Sequence, residues 1–128
     1  MHMGRRFVII GAVLGMVGVG MGAFGAHALE KLLQANGRQS TYETAVQYQF
    51  VHALALLFVS SALRRWPVNL AKASGIFFIV GTVLFSGSLY ILAIFNLPIM
   101  GAVAPLGGIA LILGWLCLGL VAWQNHVD

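Results

Sequence analysis

Charged side chains are scarce in this 128-residue sequence. It contains seven Lys or Arg residues and three Asp or Glu residues, and 60% of the chain is hydrophobic. Only 8% of the residues are charged, whereas a soluble domain has roughly 25%. So few charges cannot cover the surface, on the order of 6,600 Å², that a water-soluble protein of this mass exposes. The composition therefore excludes a soluble globular domain and predicts that lipid solvates much of the surface.

Cysteine, acidic residues and long basic runs are equally scarce. The single cysteine, Cys117, excludes an intrachain disulfide and a zinc site built from several thiolates, and we expect it to act as a small buried apolar residue. Three acidic residues are too few for most two-carboxylate chemistry. No basic run exceeds two residues, whereas nucleic-acid binding requires more cations on one face. We therefore expect no nucleic-acid partner.

Four stretches are long and apolar enough to cross a bilayer, which takes about 20 mostly apolar residues. Residues 7–28, 73–95 and 103–123 contain no Asp, Glu, Lys or Arg. Residues 41–63 form a fourth span if Ser40 is the N-cap of a capping box with Glu43. The sequence thus predicts an all-α membrane protein, a single domain over residues 1–128 with four transmembrane helices in a compact bundle. The first span exceeds the usual length of a signal-peptide core, so we expect no cleavage.

The connection between the first two spans has a helical pattern of its own. Leu29, Leu32 and Leu33 fall on one side of a short helix, and Asn36-Gly37 is typical of a helix C-cap. This pattern predicts an interfacial helix along the outer surface of the membrane. An ordinary loop with scattered leucines is the alternative.

Lysine and arginine are distributed unevenly between the two ends of the predicted spans. One end contains Arg5, Arg6, Arg64, Arg65 and Lys72, whereas the other contains only Lys31 and Arg38. Because cytoplasmic loops carry the excess of Lys and Arg, both termini are predicted to be cytoplasmic. Trp66 and Trp123 then fall at the inner interface, where amphipathic aromatic rings prefer to lie.

Glycines form a regular stripe on the first span. Helices associate in lipid where small residues let their backbones approach, so we expect this helix to be the tightly packed central element. Shorter repeats of small residues occur on the third span (Ser74, Gly81, Ser88) and on the fourth (Gly107, Gly114). The stripe faces either other helices of the chain or a second copy; alternatively, glycine is simply common in membrane helices. Its members are Gly11, Gly15, Gly18, Gly22 and Gly25.

A polar stripe of Thr41, Thr44, Tyr48 and His52 follows the second span. Because an unpaired polar group in hydrocarbon costs several kcal/mol, this stripe should face protein or water. In one interpretation it lines a vestibule, with His52 at the floor as a ligand or proton-handling group. In the other, which we favour, His52 is neutral and donates or accepts a hydrogen bond with a hydroxyl of another helix, such as Ser86 or Ser88.

His27 and Glu43 are predicted to pair at the outer boundary, near Lys31. We favour a role of this cluster in holding the interfacial helix in place over the alternative, a role in catalysis. His27 and His52 differ by roughly 13 Å in height along straight helices, too far for both to bind one zinc ion. We therefore expect no metal site and no cofactor. No set of nucleophile, base and orienting group is present, so we expect that the protein is not an enzyme.

Four groups of residues follow one another along the chain: Gly22-Ala23-Phe24-Gly25-Ala26-His27, Tyr48-Gln49 with His52-Ala53-Leu54, Phe85-Ser86-Gly87-Ser88-Leu89-Tyr90, and Pro105-Leu106-Gly107-Gly108 with Gly114-Trp115. Together they resemble the bacterial family labelled domain of unknown function 423, DUF423, and its small transmembrane relatives in animal cells. The resemblance implies a small multi-span protein of the bacterial inner membrane, and it implies no settled activity, substrate or cofactor. The polar positions that it points to are His27, Tyr48, Gln49, His52, Ser86, Ser88 and Tyr90.

Two hypotheses about function follow from the sequence. The first is an accessory or assembly protein that acts through helix packing, with membrane lipid, a second copy or another membrane protein as its partner. The alternative is an oligomeric pathway for small solutes or ions, lined by the Thr41–His52 stripe. A metal or haem site on a single histidine is a third and weaker hypothesis.

Overall fold

The computed structural model describes residues 2–125, which form five α-helices and no strand. Four of these helices are 24 to 27 residues long and apolar enough to cross a membrane. The fifth is short and lies between the first two long ones, as the leucine pattern predicts. These observations confirm an all-α protein with four candidate membrane spans. The helices are α1 (Met3–Ala26), α2 (Glu30–Asn36), α3 (Gln39–Arg65), α4 (Asn69–Phe95) and α5 (Met100–Gln124).

The predicted capping box at the start of α3 is wrong. Arg38 is the N-cap, no side chain caps the helix, and Ser40 already lies inside it. The physical reason is the tight turn at Gly37, whose left-handed φ of 65° ends α2 and returns the chain to helical geometry by Gln39. The carbonyl oxygen of Ser40 instead accepts a hydrogen bond of 2.9 Å from the hydroxyl of Thr44.

The long helices pack in the order α1, α3, α4, α5, with α3 and α4 in the middle. Within the described residues α1 does not touch α5. The expectation that the first span is the central element is therefore wrong. In its most apolar segment 17% of the residues are buried, against 44% in α3. The reason is that the glycines of α1 lie on one face only, so this helix has one closely packed side.

The glycine stripe of α1 lies against α3 of the same chain. A methyl group at Gly11 would be 2.9 Å from the carbonyl oxygen of Ala53, and one at Gly18 would be 3.0 Å from the ring of Phe50. Further along, Gly22 faces Val46 and Gly25 is covered by the ring of Tyr42, whereas Gly15 has no neighbour within 4 Å. Because glycine has no side chain, α1 and α3 can approach each other closely along most of the length of α1.

The backbones of α4 and α5 approach each other closely at Gly107. A methyl group at Gly107 would overlap the backbone of Phe85 and would be 2.9 Å from the carbonyl oxygen of Gly81. Near the other end of the contact, the hydroxyl of Ser74 donates a 2.8 Å hydrogen bond to the carbonyl oxygen of Gly114. The small-residue repeats of the third and fourth predicted spans therefore face each other.

The short helix α2 closes one end of the bundle. Leu33 is fully buried against Tyr42 and Ala93, while Leu32 remains exposed. The side-chain amide of Asn36 donates to the carbonyl oxygens of Ala93 and Ile94 at 2.9 and 3.2 Å. These carbonyls belong to the last turn of α4, which has no partners for them within its own helix. The helix therefore packs onto the ends of α3 and α4.

Gly107→Ala is expected to lower the free energy of unfolding by about 1–3 kcal/mol, because the added methyl group forces the backbones of α4 and α5 apart. Gly119→Ala is the matched control, since Gly119 lies on the same helix with nothing within 4 Å. Thermal unfolding of both variants in the same detergent measures the difference. Equal melting temperatures for the two variants would contradict the close contact at Gly107.

Candidate functional site

The buried face of α3 contains the polar side chains that the structure brings together. Seven of its ten buried positions are spaced alternately three and four residues apart, which is the period of one helix face. Gln49 and His52 are 3% and 4% exposed and lie within this face. The face consists of Tyr42, Ala45, Gln49, His52, Leu56, Val59 and Leu63.

Gln49 joins three helices through its side-chain amide. Its Nε2 donates a 2.8 Å hydrogen bond to the carbonyl oxygen of Leu14 on α1. Its Oε1 accepts a 2.5 Å hydrogen bond from the hydroxyl of Tyr90 on α4. Two helical turns before Gln49 in α3, the hydroxyl of Tyr42 donates to the carbonyl oxygen of Met21. The rings of Tyr42 and Tyr90 meet edge to face at 5.2 Å. This cluster fastens the middle of α3 to both of its neighbours.

His52 has a partner for each ring nitrogen. Nδ1 lies 2.7 Å from the carbonyl oxygen of Tyr48, which can only accept, so Nδ1 carries the proton. Nε2 accepts a 3.0 Å hydrogen bond from the indole N–H of Trp115 on α5. These partners assign the neutral Nδ1–H tautomer. The ring is enclosed further by Phe78, whose centre is 5.5 Å away. Neither nitrogen therefore remains free for a ligand in this arrangement.

The two serines that were expected to bind His52 have other partners. The hydroxyl of Ser86 crosses from α4 to α3 but donates to the carbonyl oxygen of Ala45, at 2.8 Å. The hydroxyl of Ser88 donates to the carbonyl oxygen of Phe85 in its own helix, at 2.9 Å. The expected partner of His52 is therefore wrong, because the indole of Trp115 fills that place.

The polar stripe along α3 does not surround one cavity. Its lower member, His52, is buried, whereas Tyr48 is 41% exposed and packs its ring on Phe85 at 4.6 Å. Thr41 is half-buried, and the hydroxyl of the half-buried Thr44 bonds within its own helix. The stripe runs obliquely from the surface of α3 into its buried face, because its spacing drifts from the three-four alternation.

His27 and Glu43 both lie exposed at the end of the bundle that α2 covers. A cavity of about 460 Å³ opens there between α1, α2 and α3, lined in part by Glu30, Glu43 and Gln47. His27 does not line this cavity. The sequence predicts that His27 and Glu43 pair, but no hydrogen bond or ion pair joins them in the described part of the chain.

Residues 2–125 contain no group of three His, Cys, Asp or Glu side chains placed to hold a metal ion. Cys117 is half-buried rather than fully buried. Thr82, on the buried side of α4, is the one buried polar side chain in the described range whose oxygen has no hydrogen-bond partner. The Thr82 hydroxyl is therefore a buried group that makes no hydrogen bond in this structure.

Comparison with known proteins identifies the family. Residues 21–108 match the model of a protein family of unknown function, DUF423. The chain belongs to the DUF423 family. This finding confirms the resemblance found in the sequence, and the matched region contains α2, α3 and α4 together with the end of α1 and the start of α5.

Curated relatives of this DUF423 chain are named membrane proteins. The UPF0382 membrane protein SH2409 of Staphylococcus haemolyticus is 45% identical over 89% of this chain and 92% of its own length. UPF0382 membrane protein YwdK of Bacillus subtilis is 40% identical over 92% of this chain and 96% of its own. UPF0382 inner membrane protein YgdD of Escherichia coli is 40% identical over 87% and 84%, respectively. No solved structure is significantly similar to the chain.

Sequence reasoning missed several partners of the site in this DUF423 chain. In the sequence Trp115 stands out only within a motif of the family resemblance, and its contact with His52 spans 63 residues. Tyr42 does not belong to the polar stripe that begins at Thr41. The three-four spacing that starts at Tyr42 was the available signal for the buried face. For Trp115 the sequence offers no local signal of its partner.

Proposed function

We propose that this chain is an accessory or assembly protein of the bacterial inner membrane that acts through its outer helix faces. The observation that carries the proposal is the use of interior polar groups. Gln49, His52, Ser74 and Ser86 each bond to another helix of the same chain. Side chains used in this way hold a bundle together and are not available to a substrate. The name of the Escherichia coli relative as an inner membrane protein supports the location.

The alternative, a pathway for small solutes or ions, has less support. A pathway needs polar groups that face a continuous aqueous space. The two cavities of about 880 and 460 Å³ lie at opposite ends of the helices, and neither is lined by Thr41, Thr44, Tyr48 or His52. Nor does the described interior present a nucleophile beside a base, which supports a role other than catalysis.

Site-specific photo-cross-linking in cells tests the accessory role. A photoreactive amino acid is placed at one exposed position of each long helix: Met16, Phe58, Val83 and Ile112, which are 61 to 70% exposed. We expect a discrete protein adduct, with a second copy or another membrane protein, from some of these faces and not from others. The unreactive faces serve as the internal control. Adducts with lipid alone at all four positions would contradict the proposal.

A flux assay separates the two functions. Purified protein in liposomes is expected to move no ions or small polar solutes, and His52→Ala is expected only to lower the melting temperature, since it removes a hydrogen bond of Trp115. Solute movement by the wild type that disappears in His52→Ala would overturn the accessory role and establish the pathway.

We further propose that both termini are cytoplasmic, as the charge distribution predicts. Arg5, Arg6, Arg64 and Lys72 border one cavity at one end of the helices, while Glu30 and Glu43 border the other. This separation supports the orientation because cations are retained on the cytoplasmic side. Green fluorescent protein fused after Asp128 should fluoresce, and alkaline phosphatase at the same place should be inactive. The reverse pair of results would contradict the orientation.

A further inference from the structure

The end of the bundle where α1 begins, α3 ends and α4 begins contains a cavity of about 880 Å³, here called the basic cavity. Residues from all three helices line it. Four of its lining side chains are permanent or near-permanent cations: Arg5, Arg6, Arg64 and Lys72. The basic cavity thus gathers four of the seven Lys and Arg residues of the chain into one place.

No carboxylate compensates these charges within the described residues. Glu30 and Glu43 line the cavity at the opposite end, and the third acidic residue, Asp128, lies outside the described range. The first backbone N–H groups of α1 add positive potential, because His2 at its N-cap makes no side-chain cap. Among the described residues, the four cations that line the basic cavity therefore have no carboxylate partner, and they approach it from three helices.

The neighbouring arginine has a different environment. The guanidinium of Arg65 lies over the ring of the adjacent residue Trp66, 5.4 Å from the ring centre. Arg65 does not line the basic cavity. Arg64 and Arg65 are both exposed and adjacent in sequence. Substitution of Arg64 removes one positive charge from the basic cavity, and substitution of Arg65 removes one at the same depth outside it.

Part of the cavity wall is apolar. Val8 and Leu63 line it beside the cations, and Val8 is 44% exposed on the apolar surface of α1. On the floor, the hydroxyl of Ser60 is already bonded to the carbonyl oxygen of Gly4, at 2.8 Å, so it fixes α1 against α3. Cations beside an apolar wall that continues onto the exposed surface of α1 match a phosphate headgroup with acyl chains attached better than a free ion.

We propose that the basic cavity is a binding site for the headgroup of an anionic phospholipid. The phosphate lies among Arg5, Arg6, Arg64 and Lys72, and the first part of an acyl chain lies against Val8. This inference goes beyond the proposed accessory role, which concerns protein partners of the outer helix faces, because it names a lipid class bound at one end of the bundle. It is tested on purified protein alone, so its failure leaves the cross-linking result untouched.

Binding is measured by native mass spectrometry and by thermal shift in a neutral detergent, with phosphatidylglycerol, phosphatidylcholine and soluble glycerol phosphate as separate probes. We expect phosphatidylglycerol to bind and to raise the melting temperature, and the other two to do neither at the same concentration. Arg64→Gln should weaken phosphatidylglycerol binding about fivefold, as expected for one cation near an anionic lipid. The matched control Arg65→Gln should bind as the wild type does.

Each other outcome overturns the inference. Equal weakening by Arg64→Gln and Arg65→Gln would show general attraction to the charged end and no built cavity site. Glycerol phosphate binding as tight as that of phosphatidylglycerol would show a site for a soluble phosphate. Absence of phosphatidylglycerol binding would reject any such site. The unfolding temperature of each variant without lipid verifies that the fold is intact.

Discussion

The absence of water inside a bilayer is the constraint on which this structure depends. A polar side chain within a membrane-spanning helix must find its partner in the protein, because hydrocarbon offers none. Seven polar side chains of the long helices are buried, and all except Thr82 have a hydrogen bond. Four of these side chains donate to a backbone oxygen of another helix: Gln49, Ser60, Ser74 and Ser86. Partner choice therefore fixes which helices are neighbours, and α3, which contributes Gln49 and His52, becomes a central helix.

Close backbone approach makes these short hydrogen bonds possible. A serine hydroxyl reaches a carbonyl of another helix only when the two backbones nearly touch. Ser60 reaches Gly4, and Ser74 reaches Gly114, each at 2.8 Å, and in both pairs the accepting residue has no side chain. Glycine at the contact and serine opposite it thus act together. The same arrangement leaves the outer faces of α1 and α5 without a partner in the chain, which is why the proposed function concerns those faces.

Much of the architecture follows from the sequence because its signals are local. Run length and hydropathy define four spans, and Asn36-Gly37 defines the end of α2. The capping signature at Ser40 predicts the start of α3 wrongly, because the turn at Gly37 already restarts the helix. The glycine stripe predicts a central position for α1 wrongly, because it reveals one packed face but gives no information about how many faces are packed.

The candidate site is harder to predict from the sequence because the partners of its side chains have no local signal. Gln49 and His52 were identified, but their partners Leu14 and Trp115 lie 35 and 63 residues away. A backbone oxygen such as that of Leu14 has no sequence signature at all. Only the helix order, a property of the whole fold, determines which carbonyl or indole meets each side chain.

The central claim is that interior polar side chains form hydrogen bonds between helices and thereby hold the helices in order. A double-mutant cycle between Gln49 and Tyr90 tests it most directly. The free energy of unfolding is measured in mixed micelles for Gln49→Leu, Tyr90→Phe and the double variant. The account predicts that each single variant is destabilised and that the pair is coupled by about 1 kcal/mol, because removal of both partners costs less than the sum of the single losses. Additive losses, or a Gln49→Leu variant as stable as the wild type, would contradict it.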